Sequence, residues 1–340
     1  MTRRELLIAA GSACAAFAQT VPNPRGKKGM GGSPTAFTAW AKANPQGDFL
    51  DHCHSLGLGG AELRGGPPTT PDGIAKLRDK LQSYDMHVIF NVRLPNSEAD
   101  LPAYDAQVKA ASEVGAYGLH AAMTQRRYEQ FSTLDAYQKN FEQNQKQIAL
   151  AEPVLRKNKV RLAIENHKGW RAVEQAAWMK RLGSDYVGVH LDFGNNVSFC
   201  EDPMFTLETL KPWIFSCHIK DMAVAPYEDG FLLSEVPMGE GFLDLKKMVD
   251  TLREKDPNMV FDLEMITRDP LKVPIYTPKY WATFEDIPGR QVARIMEIIE
   301  KNPPKKPLPK TTGLSAEEQV KLEGDYNLAC IRYARANLGL

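Results

Sequence analysis

Four short apolar runs in the middle of the chain each end at a residue that can bind a metal ion. The runs have the length and composition of buried strands in a parallel sheet. They span residues 160–164, 186–191, 213–217 and 259–263, and they are followed by Glu165, Asp192, His218 and Glu264. Segments compatible with helices lie between them, so strand and helix alternate along the chain. This alternation predicts an α/β protein with the architecture of a (β/α)₈ TIM barrel.

The four residues that end these runs predict a metal site. In a (β/α)₈ barrel the C-terminal ends of the strands meet on one face, where active sites lie. Any one of the four residues alone is more simply an ordinary polar group at a strand end. Together they favour one divalent metal ion, with Mn²⁺ as the first expectation and Mg²⁺, Co²⁺ or Zn²⁺ as alternatives. The predicted ligands are Glu165, Asp192, His218 and Glu264.

The remaining pattern predicts the limits of the barrel and an extension beyond it. The first strand is expected at Thr35–Trp40, and the barrel at residues 34–302. A long insertion at 222–241, on the face that carries the site, is expected to cover the substrate. A proline- and lysine-rich linker then spans 303–314, and a C-terminal helix spans 315–340, beginning with a capping box at Ser315. The helix is expected to pack on the barrel or on a second subunit, which leaves a homo-oligomer open.

The first residues have the pattern of an export signal. Arg3 and Arg4 precede a short apolar run that ends in small residues at Ala18. This predicts a signal peptide of the twin-arginine type at residues 1–18, a flexible leader at 19–33, and a periplasmic location. The alternative is an irregular N-terminal segment of a cytosolic protein.

Composition excludes several classes of protein. The 340 residues carry 42 Lys and Arg against 42 Asp and Glu, so no excess of positive charge suggests a nucleic-acid partner. No apolar run is long enough to span a bilayer. The five cysteines are irregularly spaced and form no CxxC pair, which argues against a zinc site made of cysteines.

Three segments resemble a known family. Ile164-Glu165-Asn166-His167, His190–Asn195 and His218–Asp221 are similar to signature segments of the xylose isomerase-like TIM-barrel superfamily, the sugar phosphate isomerase/epimerase group. The resemblance covers roughly Gly60 to Glu300, and Glu264 stands where that family has its last metal ligand. It implies that Glu165 and Glu264 both hold the metal and face the substrate from opposite sides as catalytic groups.

Further residues are candidates by their spacing. His167 and Lys220 lie two residues after Glu165 and His218, and side chains two apart in a strand share a face. His167 is therefore predicted to carry protons, and Lys220 to contact a substrate oxygen. The predicted substrate-binding set also includes Asn195, Arg268 and Glu62, while Arg93 ends a strand as either a sugar contact or an ion-pair partner. Asn195 stands where some epimerases of this family carry a histidine, so their proton relay is not copied here. His190 is expected to be a buried structural histidine.

Two reactions fit these residues. The first is isomerisation or epimerisation of a keto-sugar through an enediolate, after proton abstraction beside the carbonyl. The alternative is lysis or hydrolysis of a 3-keto-glycoside by β-elimination, which export favours. The abasic-site endonucleases of the superfamily need further histidine and aspartate ligands that no motif supplies here. A sugar-binding barrel without catalysis is disfavoured because both glutamates are present.

Overall fold

Eight parallel strands close into a barrel in this computed structural model, which describes residues 29–124 and 126–340. The barrel strands are β1 (Gly31–Gly32), β2 (Gly60–Leu63), β3 (His87–Asn91), β4 (Gly118–Ala121), β5 (Leu162–Glu165), β6 (Val187–Asp192), β7 (Ile214–Ile219) and β10 (Phe261–Leu263). Around the ring they follow the order β1-β10-β7-β6-β5-β4-β3-β2. The predicted TIM barrel is confirmed. The predicted signal peptide and the leader up to residue 28 lie outside the described residues.

The first strand differs from its prediction. Residues 35–40 do not form a strand, since a helix begins at Thr38, and β1 instead consists of two glycines inside the predicted leader. Their lack of a side chain has a physical reason. A β-carbon added to Gly31 would lie 1.8 Å from Oδ1 of Asp262, whose buried carboxylate accepts a hydrogen bond of 3.0 Å from His87. Glycine leaves room for this pair inside the barrel, and a strand of glycines has no hydrophobic pattern to reveal it.

Helices surround the barrel, as the alternating pattern predicts. The longer helices are Thr38–Ala43, Phe49–Ser55, Pro71–Tyr84, Leu101–Val114, Leu134–Asn158, Ala172–Leu182, Pro203–Leu210, Leu245–Lys255, Gly289–Lys301 and Ala316–Tyr333, with one-turn helices at Arg127–Gln130 and Pro278–Trp281. Their starts carry the expected caps: the Thr70 hydroxyl, for example, accepts the N–H of Gly73. Within the described residues, no helix combines the length and the hydropathy that crossing a bilayer requires.

The predicted insertion at 222–241 is a β-hairpin. Strands β8 (Asp221–Tyr227) and β9 (Gly230–Val236) pair antiparallel, and β11 (Leu271–Val273) adds a third strand. The Asp221 carboxylate fixes the base of the hairpin by accepting backbone N–H groups from Gly239 and Gly241, each at 2.9 Å. The hairpin brings the carboxylate of Glu235 to the C-terminal face of the barrel, where the predicted site lies.

The C-terminal helix Ala316–Tyr333 packs on the barrel. Its capping box at Ser315 is present. Glu323 accepts the N–H groups of Ala39 and Trp40 at 2.7 and 2.8 Å, so it caps the helix that follows β1. On the other side Arg253, in the helix that follows β7, donates to the carbonyls of residues 338 and 339. The C-terminal helix thus fills the gap between these two helices and completes the outer ring.

The predicted linker at 303–314 is held against its neighbours. Lys305 donates to the carbonyls of Gly239 and Gly241 beside the hairpin, at 3.0 and 2.9 Å. Thr311 donates its N–H to Asp269 at 2.6 Å. The four cysteines of the described residues, at 53, 200, 217 and 330, are free and buried.

Candidate metal centre

The four predicted metal ligands converge in the structure. Glu165, Asp192 and His218 lie at or near the ends of β5, β6 and β7, and Glu264 follows β10 directly. One donor atom from each lies within 4.8 Å of the other three, and all four residues are buried. The parallel pairing explains the convergence, because Asp192 and His218 stand in register on neighbouring strands. The spacing of the four residues along the chain does not give the distances between them. Closure of the barrel brings them together.

The His218 imidazole is oriented so that one nitrogen faces the carboxylates. Its Nε2–H donates to Oε2 of Glu62 at 2.7 Å. Its Nδ1 lies 3.4 Å from Oε1 of Glu264 and has no hydrogen-bond partner among the described residues. A histidine that donates one N–H to a carboxylate and presents the other nitrogen is the usual arrangement of a metal ligand. This geometry fits a metal ion bound through Nδ1.

Glu62 was predicted to bind substrate, but its carboxylate is occupied within the protein. Besides His218, it accepts hydrogen bonds from His120 Nδ1 at 3.0 Å and from Asn91. The other nitrogen of His120 donates to Oε2 of Glu165 at 3.2 Å. Glu62 therefore holds both histidines, and through His120 it orients Glu165. Its role in substrate binding stays a prediction.

His120 was not among the predicted site residues. Burial alone would lower the pKa of its imidazole, but the carboxylates of Glu62 and Glu165 outweigh burial and raise it to about 9. His120 lies one residue before the end of β4, so the signal in the sequence was a polar residue near a strand end. A second group of close donor atoms consists of Glu62, His120 and His218. Hydrogen bonds join Glu62 to both histidines of this group, whereas His218 presents Nδ1 without a hydrogen-bond partner among the described residues toward the first group, which is therefore the better metal site.

Lys220, another predicted substrate contact, lies inside the cluster. Its ammonium is 2.5 Å from Oδ2 of Asp192 and 2.8 Å from Oε2 of Glu264, and only 1% of its side chain is exposed. Burial opposes the charged form, yet the two carboxylates dominate and raise the pKa of Lys220. Lys220 therefore positions two candidate ligands. Contact with substrate stays a prediction.

Asn195 and Lys168 hold Glu165 from the other side. Asn195 donates to Oε1 of Glu165 at 3.0 Å, and the Lys168 ammonium donates to the Asn195 side-chain oxygen. Burial, together with the charge of Lys220, lowers the pKa of Lys168 to about 8. Lys168 has a φ of +31°, a conformation that non-glycine residues rarely adopt and that often marks functional sites. No pattern in the sequence marks Lys168 as a site residue.

The charges of the buried groups around the cluster favour a divalent cation. Four buried carboxylates face two buried lysines, so negative charge is in excess of the lysines. This excess raises the pKa of His120 to about 9 and the pKa of His218 well above its usual value, against the effect of burial. Uncompensated buried charge is costly. A divalent ion would supply the positive charge that these protons otherwise carry, and the donor set suits it. The carboxylates are Glu62, Glu165, Asp192 and Glu264, and the lysines are Lys168 and Lys220.

His167 is positioned to handle a proton. Its Nδ1–H donates to the carbonyl of Thr124 at 2.8 Å, which leaves Nε2 as the acceptor nitrogen. Burial lowers the pKa of His167, so the imidazole is neutral near pH 7. Arg268, predicted to bind substrate, instead forms an ion pair of 2.7 Å with Glu235 of the hairpin, and its predicted role remains untested. His190 is fully buried and hydrogen-bonds Ser216, as expected of a structural histidine.

A cavity of about 770 Å³ opens onto this cluster. Glu165, His167 and Glu264 line it at the cluster, and Arg64 and Arg93 line it farther along β2 and β3. Its size lies in the range of pockets that bind small organic ligands. A cavity above a buried candidate metal centre, at the C-terminal face of a barrel, is typical of TIM-barrel proteins that bind small molecules.

Comparison with known proteins identifies the family. The model of the family described as xylose isomerase-like TIM barrel matches residues 50–285, and the chain belongs to this family. A curated relative, 3-oxo-isoapionate decarboxylase of Pectobacterium atrosepticum, is 28% identical over 109 residues, which cover 32% of this chain and 40% of the relative. The match thus spans less than half of that protein's length.

Solved structures share the fold at low sequence identity. D-psicose 3-epimerase superposes with a TM-score of 0.53 at 14% identity and covers 92% of this chain and 100% of its own. L-ribulose 3-epimerase gives 0.52 at 13% identity, with 91% and 96% covered. The 3-keto-D-glucoside 4-epimerase of E. coli gives 0.51 at 12% identity, with 81% and 100% covered. These likenesses establish the barrel fold.

Proposed function

We propose that this protein is a divalent-metal-dependent isomerase or epimerase of a keto-sugar. The observation that carries the proposal is the placement of Glu165 and Glu264. They lie on strands three positions apart in the eight-strand ring, and both line the cavity while their carboxylates belong to one cluster. An epimerase must remove a proton from one face of a substrate carbon and add a proton to the other face. Two carboxylates that approach the carbon from different sides can do this.

The reaction follows from the residues around the cavity. Glu165 carries the hydrogen bonds of an ionised carboxylate, from His120 and Asn195, and takes the proton from the carbon beside the substrate carbonyl. The electron pair of that C–H bond moves to the carbonyl oxygen. A divalent ion held by the four ligands would stabilise the negative charge that develops there. A proton then returns from the side of Glu264, either to the opposite face of the same carbon or to the former carbonyl carbon. Glu264 receives this proton from the Lys220 ammonium with which it pairs, and the proton on Glu165 passes to solvent, from which Lys220 is reprotonated.

Two further contacts keep these groups in place. The Thr35 hydroxyl donates to Oε1 of Glu264 at 2.8 Å, while Lys220 pairs with Oε2. His167 presents a neutral Nε2 to the cavity and moves a proton between substrate oxygens. The structural relatives named as sugar epimerases and the family membership support the proposal without fixing the sugar.

Hydrogen exchange tests the proposal. The Mn²⁺-loaded protein is incubated in deuterated water with D-fructose, D-tagatose and a 3-keto-glucoside, and deuterium beside the carbonyl is measured by NMR. We expect incorporation with at least one of them, and a loss of about 10²-fold or more in His167→Gln, since a positioned acid or base contributes on that order. Glu300→Gln, an exposed change far from the cavity, is the control.

His167→Gln removes no predicted ligand, so its metal content should remain at one ion per chain, whereas Glu165→Gln is expected to lose both metal and exchange. Failure of the metal-loaded protein to exchange any α-hydrogen would contradict the proposal. A protein that binds no metal would contradict it as well.

The second candidate is a lyase that cleaves 3-keto-glycosides by β-elimination. The size of the cavity favours it, because about 770 Å³ exceeds the need of a monosaccharide. In this reaction Glu165 takes the proton beside the carbonyl, the carbon–carbon double bond forms, and the group on the adjacent carbon leaves. The leaving oxygen takes a proton that passes from solvent through Nε2 of His167. The two functions differ in product. Release of the aglycone and of an unsaturated keto-sugar from the 3-keto-glucoside would select the lyase, and an epimerised intact glycoside would select the epimerase.

A further inference from the structure

The end of the cavity away from the cluster is lined by hydrogen-bond donors. Arg64 directly follows β2 and Arg93 lies two residues past the end of β3, and both line the cavity. Because Glu62, inside β2, contacts His218, the two arginines come after it along the chain, beyond the C-terminal ends of the strands.

The backbone holds both arginines at adjacent strand ends. β2 and β3 are paired, with Leu63 beside Phe90, and the N–H of Gly66 donates to the carbonyl of Asn91 at 3.1 Å. Arg93 directly precedes two buried residues, Leu94 and Pro95. Neither guanidinium has an ion pair or a side-chain hydrogen bond within residues 29–124 and 126–340. Two exposed arginines therefore line one cavity without an ion pair to any carboxylate in this part of the chain.

A buried hydroxyl points to a missing acceptor at the same place. Tyr104 lines the cavity and is 3% exposed, yet its hydroxyl has no hydrogen-bond partner among the described residues. A buried polar group without a partner is costly and usually has a ligand or an ordered water as its partner. The phenol can donate to an anion that also contacts the arginines.

The carboxylate at this end of the cavity does not neutralise the arginines. Asp100 accepts the backbone N–H groups of Asn96 and Ser97 at 2.9 and 3.0 Å through the same oxygen, which also accepts the Ser97 hydroxyl at 3.2 Å. One of its two oxygens is thereby committed to the turn that starts the helix Leu101–Val114. Within the described residues Asp100 forms no ion pair with Arg64 or Arg93.

We propose that Arg64, Arg93 and Tyr104 bind an anionic group, a carboxylate or a phosphate, at the end of the substrate remote from the reacting carbon. Guanidiniums bind both groups through paired charge-assisted hydrogen bonds. The inference deepens the proposed function, on which it rests only for the position of the reacting carbon. The substrate class is then an acidic keto-sugar, and a neutral ketose fills only the inner part of the cavity.

Three ketoses that differ only at carbon 6 test the inference. D-fructose carries a hydroxymethyl group there, D-fructuronate a carboxylate and D-fructose 6-phosphate a phosphate. Their affinities for the Mn²⁺-loaded full chain are measured by calorimetry. We expect at least one anionic form to bind 10-fold or more tightly than fructose, and this advantage to shrink as salt rises. The stronger of the two anions identifies the group.

The variants separate this subsite from general electrostatics. Arg64→Gln with Arg93→Gln should remove the advantage of the anion and leave the affinity for fructose unchanged. Tyr104→Phe should weaken only the anion, by a few-fold. Arg78→Gln with Arg181→Gln removes the same two charges from exposed helices outside the cavity, and should change neither affinity.

Anionic forms that bind no more tightly than fructose would overturn the inference, whether or not fructose itself binds. So would an equal loss in the two double variants. Deuterium exchange on a neutral ketose would still occur in either case if the proposed function holds, so the two failures are distinguishable.

Discussion

At the scale of single residues, Glu62 determines how the candidate metal centre is assembled. It is 1% exposed, and its two carboxylate oxygens accept hydrogen bonds from His120 and His218. The bond to His218 fixes which imidazole nitrogen faces Glu264. Partners of this kind typically contribute 10- to 100-fold in metal affinity. Glu62 thus acts on the metal through His218, although it is not one of the predicted ligands.

We therefore expect Glu62→Gln to weaken Mn²⁺ binding by roughly 10- to 100-fold. The amide keeps the shape of the side chain but can accept only through one atom, so one histidine loses its partner. Metal affinity is measured by competition with a chelator. Glu300→Gln, on an exposed helix position, should match the unchanged protein. Equal affinities in the two variants would show that Glu62 does not orient His218.

Lys168 should make the stability of the protein depend on pH. Its pKa falls from 10.5 to about 8 on folding, so the unfolded chain binds the extra proton between these values. The free energy of unfolding therefore rises by up to about 3 kcal/mol through this residue as the pH increases from 8 to 10.5. Below pH 8 the buried charge opposes folding at its full cost.

Comparison with Lys168→Met isolates this effect, because methionine keeps an unbranched side chain one atom shorter than lysine and carries no charge. We expect the free energy of unfolding of the unchanged protein to increase relative to the variant between pH 8 and pH 10.5. Urea unfolding at several pH values measures the difference. A constant difference across this range would mean that Lys168 keeps an ordinary pKa in the folded protein.

At the scale of elements, the sequence predicted most strands and helices, and the exceptions are the first strand and the hairpin. The helix Leu134–Asn158 shows why helices are readable, because its 3.6-residue pattern is long and its N-cap at Thr133 is recognisable. β1 was missed because glycines carry no pattern and are required by the buried Asp262 beside them. The hairpin β8–β9 was readable, since Asp229-Gly230 between two apolar runs is a hairpin signal.

At the scale of the whole molecule, the contacts of the C-terminal helix predict that it unfolds together with the barrel. It caps the helix after β1 through Glu323, and its residues Cys330 and Ile331 are buried. The helix Gly289–Lys301, which follows β10, packs elsewhere, where Arg294 pairs with Asp202. Unfolding of the C-terminal helix would therefore expose buried apolar residues.

We therefore expect Ile331→Ala to destabilise the whole protein by about 2–5 kcal/mol, the usual cost of truncating a buried isoleucine. The loss should appear as a shift of a single transition in urea, followed by both far-UV circular dichroism and tryptophan fluorescence. Leu328→Ala on the same helix, at a position that is 40% exposed, should have little effect. Two separate transitions in Ile331→Ala would mean that the helix is only docked on an independent barrel.

The sequence by itself determined the barrel and the four residues that meet in the candidate metal centre. Each of these depends on local information: an apolar run, the polar residue at its end, and the rule that parallel strands end on one face. Glu165, Asp192, His218 and Glu264 were therefore predictable without any distance.

Only the tertiary structure decided which partners each of these side chains has. Glu62 and His120 contact the cluster from strands far away in sequence, and Lys168 pairs with Asn195, which lies on the next strand's loop; the spacing along the chain does not encode such contacts. That Arg64 and Arg93 have no ion pair within the described residues is a tertiary property for the same reason. Whether a charged side chain is paired depends on every element that reaches it, and folding alone brings those elements together.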